Sequence, residues 1–278
     1  MNDKNRNLLV RIATAVLLLP GVIFLLWRGG WWTAALVAAA AAVCASEYLL
    51  IVWKRLGAIA WGCIAAAGLL PLLPALAPRD AFALGFFVVG GTLIVTWTWH
   101  LLRGPLAEAP ERSAHGLTAV VYGSLGPMCI AALRLIPEQG LGWVIAALTI
   151  TWVNDTTAYF AGRFLGRHKL YVEVSPNKTW EGFFGGMVGS IGGMFVLRAF
   201  FFRWLTVTDC VCLGLAGGVF GPIGDLTESM LKRAYKVKDS GKIIPGHGGL
   251  LDRIDALVFN APMVFVWVAF LRAHVSGG

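Results

Sequence analysis

The sequence predicts an all-α, polytopic integral membrane protein of about nine transmembrane helices with a cytoplasmic N-terminus. Three observations carry this. Of the 278 residues, 58% are hydrophobic and only 14% charged, against about 45–50% and about 25% in ordinary globular chains. The mean hydropathy of +0.72 is more apolar side chain than one soluble core holds while its surface stays polar. The apolar residues also fall in continuous runs of spanning length, ~20 residues, rather than in the alternating pattern of a membrane strand barrel.

Nine runs qualify: 8–27, 31–53, 58–77, 81–102, 116–136, 140–161, 182–202, 207–229 and 253–272. The first follows Lys4, Arg6 and Arg11, as a signal peptide would. It ends in Arg28-Gly29-Gly30-Trp31-Trp32 with no small-residue cleavage site, so it reads as an uncleaved helix. With the N-terminus inside, every lysine and most arginines fall at cytoplasmic ends and loops. Only Arg28, Arg79, Arg134, Arg198, Arg203 and Arg272 fall on the other side, the asymmetry expected of a membrane protein. The net charge of +8 then reports topology, and no nucleic-acid partner is expected. Cys44, Cys63, Cys129, Cys210 and Cys212 lie in apolar runs without metal-type spacing and read as small core residues. Gly182, Gly185, Gly186, Gly189, Gly192 and Gly193 give the seventh run small-xxx-small spacing. This serves close packing of a neighbouring helix within the chain, with dimerisation as the alternative.

Three cytoplasmic loops are longer than the rest, 103–115, 162–181 and 230–252, and the last two hold the densest polar chemistry. Carboxylates within apolar runs are costly, ~2.5–3.5 kcal/mol at the bilayer centre on insertion scales, so each needs a reason. Glu47, Asp155, Asp225, Glu228, Asp252 and Asp255 all lie toward the cytoplasmic ends of their runs, which suggests one polar site opening inward. Glu47 is the weakest member and reads as snorkelling or paired with a nearby base. Asp80 and Asp209, at outer helix starts, read as N-caps. Asp225 closes Gly221-Pro222-Ile223-Gly224-Asp225 and shares a helix face with Ser229 and Lys232; Asp252 and Asp255 share another; Asp155 lies with Thr151 and Tyr159. Carboxylates with few His or Cys partners suit Mg²⁺ or another hard cation. Ion pairing with Arg233 or Arg253 is the structural alternative.

Five basic residues between 232 and 242 would suit anionic headgroups generically. The continuation Pro245-Gly246-His247-Gly248-Gly249 runs directly into a helix, where glycine amides and the helix N-terminus favour an anion. Carboxylates and phosphates share a pocket comfortably only with a bridging cation. Phosphate, Mg²⁺ and a membrane site together suggest phosphoryl or nucleotidyl transfer to a lipid. Upstream, Ser175-Pro176-Asn177-Lys178-Thr179-Trp180-Glu181 lacks P-loop spacing. It reads as a Ser-Pro turn before a helix capped by Thr179, with Lys178 and Thr179 also placed to cradle phosphate.

The stretch Ser229 to Asp255 resembles the signature of the phosphatidate cytidylyltransferase (CDP-diacylglycerol synthase) family: S-x-hydrophobic-K-R, four residues, K-D, a short spacer, then H-G-G-x-x-D-R-x-D. Ser229, Lys232-Arg233, Lys238-Asp239, His247-Gly248-Gly249, Asp252-Arg253 and Asp255 fill its positions. The resemblance extends to Gly224-Asp225-Leu226-x-Glu228, Ser175-Pro176-x-Lys178-Thr179-x-Glu181-Gly182 and Asp155-Thr156-x-Ala158-Tyr159-x-x-Gly162-Arg163. Asn154 stands where a small residue is expected, and residues 1–110 match only as apolar helices. The resemblance implies an integral-membrane nucleotidyltransferase of phospholipid biosynthesis that makes CDP-diacylglycerol and pyrophosphate from CTP and phosphatidic acid. It implies a homodimer in a bacterial-type inner membrane, its site facing the cytoplasm and membrane lipids, with catalysis in residues 111–278. Asp225 and Asp252 would hold Mg²⁺, with a second cation such as K⁺ beside it. Those two, with Lys232, Lys238 and Arg253, would be catalytic; Asp155, Lys178, Thr179, Ser229, Arg233, His247, Gly248 and Gly249 would bind substrate. Rival readings are a lipid kinase or cytidylyltransferase acting on another lipid, and an anion transporter. The transporter fits poorly with carboxylates on one side only.

Overall fold

The computed structural model describes residues 3–246 and 248–272. Every expected run is helical: α1 Asp3–Arg28, α2 Gly30–Trp53, α3 Ala58–Leu69, α4 Leu73–Leu76, α5 Ala81–Arg103, α6 Ala109–Arg134, α7 Gly140–Leu165, α8 Trp180–Phe200, α9 Val207–Ala234 and α10 Leu251–Val266, with a π-helical extension Trp267–Leu271. α3 and α4 divide the single expected run 58–77. A 3-10 turn, Leu70–Leu72, joins them where Pro71 and Pro74, lacking N–H groups, interrupt the α-helical ladder. The loop expected over 103–115 is largely the start of α6, and α9 runs to Ala234, which shortens the loop that follows.

Among the described residues, seven segments are long and apolar enough to cross a membrane: α2, Ala58–Leu76, α5, α6, α8, α9 and Leu251–Leu271. α7 is less apolar because Thr149, Thr151, Asn154, Asp155, Thr156 and Thr157 fall together along it. Large side chains such as Phe86, Phe87, Leu101 and Val188 stand exposed on helix faces, the surface a hydrocarbon solvent requires. The chain is an all-α membrane protein with one departure. β1 (Lys169–Tyr171) and β2 (Ser175–Thr179) form an antiparallel hairpin. Ser175 and Pro176 therefore lie in a strand, not in the expected turn; a two-stranded ribbon has only edges, where proline is tolerated. The expected cap is present: Thr179 Oγ1 accepts from the Gly182 amide at 3.1 Å and starts α8.

The chain divides into two compact units, Met1–Ile136 with Tyr235–Arg253, and Pro137–Ala234 with Ile254–Gly278. In the first, α2 packs against α6 and α3, and α6 against α5. A Cβ on Gly123 of α6 would lie 2.9 Å from the Ala45 amide nitrogen and 3.1 Å from the Ala41 carbonyl, so the alanine run of α2 lets two backbones meet. Arg134 donates to the carbonyls of Leu26 and Trp27, each at 2.7 Å, placing a cation at the C-terminus of α1.

In the second unit α8 packs against both α7 and α9. The glycine stripe serves this packing. A Cβ on Gly189 would sit 2.6 Å from Thr157 Cβ of α7, and on the other side Ile191 and Met187 press on Gly214 and Gly218 of α9. Cys44, Cys63, Cys129 and Cys210 are buried, Cys212 is half-buried, and all five are free thiols.

Two aspartates differ from the sequence reading. Asp80 precedes α5, yet its side chain makes no capping hydrogen bond. Asp209 is not the cap of α9. Thr206 is: its Oγ1 accepts from Asp209 N at 3.0 Å, and Asp209 Oδ2 accepts from Thr206 N at 2.9 Å, a reciprocal capping box. Asp209 is fully buried and also accepts from Trp267 Nε1 at 2.8 Å and Arg272 Nε at 3.1 Å. Asp209→Ala is expected to cost about 2 kcal/mol, because it leaves the buried indole N–H of Trp267 without its acceptor and removes one half of the capping box. A clear fall in Tm of the detergent-solubilised protein checks this.

Candidate functional site

The polar residues of α7 line a cavity of about 510 Å³ in the second unit. α7 contributes Asn154, Asp155, Ala158, Tyr159, Gly162 and Arg163; the hairpin Leu170, Asn177, Lys178 and Thr179; α8 Gly182 and Phe183; α9 Pro222 and Asp225. The small residues there are steric requirements. A Cβ on Gly182 would lie 2.9 Å from the Ala158 carbonyl, and one on Gly162 3.1 Å from Thr179 Oγ1. Side chains at either position would push α7 and α8 apart at the cavity.

Lys178 Nζ pairs with Asp225 Oδ2 at 2.7 Å and lies 3.5 Å from the carbonyl of Pro222. Ser229 Oγ donates to the other Asp225 oxygen at 3.3 Å. Asp155, Asp225 and Asp255 are close enough to act on one another electrostatically, with Lys178 acting on Asp155 and Lys232 on Asp255. The expected partners Asp225, Ser229, Asp155, Lys178 and Thr179 are thus brought together, and the cation at Asp225 is Lys178 rather than Arg233 or Arg253. Lys232 turns to buried Glu228, one helical turn away, at 2.6 Å. Arg233 Nε donates to the Val174 carbonyl at 3.3 Å and ties the end of α9 to the hairpin.

Further residues in and beside the cavity appear in the sequence only as positions of the family resemblance, without a role. Glu181 accepts from the His168 amide and pairs with His168 Nδ1 at 2.6 Å, holding the strand that leads into the hairpin. Arg163 donates to Tyr159 OH at 2.8 Å. Asn154, 1% exposed, donates to Ser190 Oγ at 3.2 Å, while its Oδ1 has no hydrogen-bond partner among the described residues. An acid in the Lys-Thr-Trp-Glu run and the i, i+4 spacing of Tyr159 and Arg163 were the available signals.

The remaining expected residues belong to the first unit. Lys238 and Arg253 are exposed. Gly248 has φ +86°, and a Cβ there would lie 3.0 Å from Asp252 Oδ2, so only glycine suits the position. His247, expected at substrate, lies outside the described residues. The amides expected to meet an anion are engaged by this chain's own carboxylates. Gly249 N donates to Asp252 Oδ2 at 3.0 Å, and Leu250 N and Leu251 N donate to Glu47 at 3.0 and 2.8 Å. Glu47 therefore neither snorkels nor serves as a surface ion pair: it is 2% exposed and caps a helix.

The donor chemistry fits Mg²⁺. Carboxylate oxygens are its hard ligands, and it commonly binds through one or two carboxylates plus substrate phosphates. That coordination asks for no larger acidic cage, and among the described residues no three His, Cys, Asp or Glu side chains form one. Lys178 on Asp225 marks where a cation is already favoured.

Comparison with known proteins identifies the family. The model of the cytidylyltransferase family matches residues 9–271. The phosphatidate cytidylyltransferase of Staphylococcus epidermidis is 41% identical over 152 residues, 55% of this chain and 57% of that protein. The one from Staphylococcus aureus is 41% identical over 154 residues and the one from Staphylococcus saprophyticus 40% over 156, each again over 55% of this chain and 57% of the relative. The chain thus spans little more than half the length of these relatives. The family match, by contrast, takes in both the cavity-lining helices and the glycine-rich loop, and on that extent the chain belongs to the cytidylyltransferase family.

Proposed function

We propose that the chain transfers CMP from CTP to phosphatidic acid, forming CDP-diacylglycerol and pyrophosphate for phospholipid synthesis. The observation that carries this reading is the placement of the Lys178–Asp225 pair. Its polar cavity adjoins an apolar groove of about 290 Å³ formed by Leu170, Tyr171, Trp180, Phe183, Pro222, Ile223 and Leu226. Leu170, Phe183 and Pro222 border both spaces. Charged groups beside an apolar trough suit an amphiphile with a phosphate head.

Phosphatidic acid brings its own nucleophile. A phosphate monoester has a second pKa near ~6, so its oxygens are largely ionised at neutral pH and no Ser, Cys or strong base is needed. A lipid phosphate oxygen attacks the α-phosphorus of CTP in line. The new P–O bond forms as the α–β bridging bond breaks, and pyrophosphate leaves with the electron pair. The task of the protein is to bring two polyanions together. Lys178, Lys232, Arg233, Lys238 and Arg253 offset their charge, and Asp155, Thr179, Ser229, His247 and Gly248 complete the substrate contacts, while Gly249, whose amide is held by Asp252, shapes the loop. Asp225 and Asp252 are the proposed carboxylate ligands of Mg²⁺, with K⁺ as a second cation. When bound, Mg²⁺ supplies Lewis-acid stabilisation of phosphate charge. The proposal places nine spans in a bacterial-type inner membrane, the N-terminus and active site toward the cytoplasm, residues 1–110 as scaffold and 111–278 as the catalytic region, in a homodimer.

Purified protein in detergent, given CTP, short-chain phosphatidic acid and Mg²⁺, is expected to release pyrophosphate and a CMP-bearing lipid in equal amounts. EDTA is expected to stop both. Pyrophosphate without lipid product would make the protein a CTP pyrophosphohydrolase and overturn the reading.

A further inference from the structure

The glycine-rich loop is built around a carboxylate that comes from far away in the chain. Glu47 lies within α2 and is separated by about two hundred residues from its partners. Its Oε2 accepts from Ser240 Oγ at 3.1 Å and from Leu251 N at 2.8 Å, and its Oε1 accepts from Leu250 N at 3.0 Å. Two of these donors are amides at the start of α10, where the helix N-terminus favours negative charge. The loop makes room for it. A Cβ on Gly249 would lie 2.6 Å from Glu47 Oε2, and one on Gly241 2.8 Å from Glu47 Cδ.

The same contacts reach Asp252. Ser240 Oγ lies 3.1 Å from the Glu47 carboxylate and 3.0 Å from Asp252 Oδ2. The one hydroxyl lies between the two acids and links them through a single side chain. Asp252 Oδ2 also accepts from Ser240 N at 2.9 Å and Gly249 N at 3.0 Å. A buried acid in a membrane helix is expensive, and the three hydrogen bonds this one accepts all come from the segment that carries Asp252.

We propose that Glu47 is a positioning residue: through Ser240 and the first amides of α10 it fixes the glycine-rich loop and, with it, the carboxylate of Asp252. The proposal rests on the reading of Asp252 as a working residue of CMP transfer. Glu47 itself touches no substrate. Its neutral isostere keeps the volume of the side chain but turns an amide NH₂ toward backbone and hydroxyl donors, so the loop loses acceptors without a cavity being made.

The test uses the intact purified protein and the variants Glu47→Gln, Ser240→Ala and their double mutant. Exposed Lys238 and Lys242 flank Ser240, so trypsin cleavage there reads the order of the loop without any assay of activity. Glu47→Gln is expected to speed cleavage at these two sites while leaving the elution volume and other cleavage sites unchanged. It is expected to lower kcat for CMP transfer by about 10–100-fold, the effect of losing an outer partner of a working ligand, and the double mutant to lose less than the product of the two single losses, because the Glu47–Ser240 contact is common to both while the Leu250 and Leu251 contacts go only with Glu47. Cleavage as slow as in the unmutated protein would overturn the proposal. So would losses that multiply in the double mutant, since Glu47 would then act independently of Ser240. If no variant transfers CMP and neither does the unmutated protein, the function reading fails, and the cleavage pattern still decides whether Glu47 orders the loop.

Discussion

Asp225→Asn is expected to lower turnover of CMP transfer by at least about 10²-fold, in the range seen when one preorganised electrostatic stabiliser is removed, while the purified protein still folds. The expectation of folding has a structural basis. Asp225 sits at the end of the cavity rather than in the core, its side chain 36% exposed, and Lys178 opposite it is 23% exposed. Loss of the pair leaves a partly solvated ammonium, which costs little stability. Asparagine still accepts from Ser229 and preserves the shape of the site, so the variant isolates the negative charge. Steady-state kinetics at saturating CTP and lipid, with Tm and elution volume as controls, check it. Turnover within a few-fold of the unmutated protein would remove Asp225 from the mechanism.

Asp252→Asn is expected to fall as far, again at least about 10²-fold, for a different structural reason. One oxygen of Asp252 anchors the loop, accepting from Ser240 N, Ser240 Oγ and Gly249 N. An asparagine carbonyl keeps an acceptor for the Ser240 and Gly249 amides, and Ser240 Oγ retains Glu47, so the loop should stay ordered and the charge is lost. Asp252→Ala removes the anchor as well. It should match the asparagine variant in lost turnover and exceed it in tryptic cleavage at Lys238 and Lys242. Equal cleavage in the two variants would mean that the Asp252 side chain does not order the loop.

The sequence announced the helices because bilayer-spanning runs are a one-dimensional signal. Even α7, whose polar residues cluster from Thr149 to Thr157, lies in one of these runs. Thr179 was legible as a cap because capping is settled within four residues. The hairpin at 169–179 was not. Lys169–Tyr171 offers only three residues to pair, and Pro176 argues against a strand in any longer sheet. At the start of α9 the sequence offers both Thr206 and Asp209 as caps, since both residue types cap and spacing alone does not say which supplies the first bond.

The site was legible as a set of residue types rather than as contacts. Spacing put Asp225, Ser229 and Lys232 on one helix face, yet Lys232 pairs with Glu228 and Asp225 with Lys178, forty-odd residues upstream. Nothing local chooses between those partners. Glu47 shows the same limit most plainly. An acid in an apolar run signalled a purpose, but that purpose, a hydrogen-bonded hold on Ser240, Leu250 and Leu251, depends on long-range packing.

The central claim is that the phosphorus retained on the lipid is the α-phosphorus of CTP. Phosphatidic acid incubated with the protein and Mg²⁺ in parallel with α-labelled and γ-labelled CTP tests it most directly. Transfer predicts that α-label enters the organic-soluble lipid and that γ-label leaves entirely as pyrophosphate. Label from the γ position in the lipid, with CDP as the other product, would contradict it and make the protein a CTP-dependent lipid kinase.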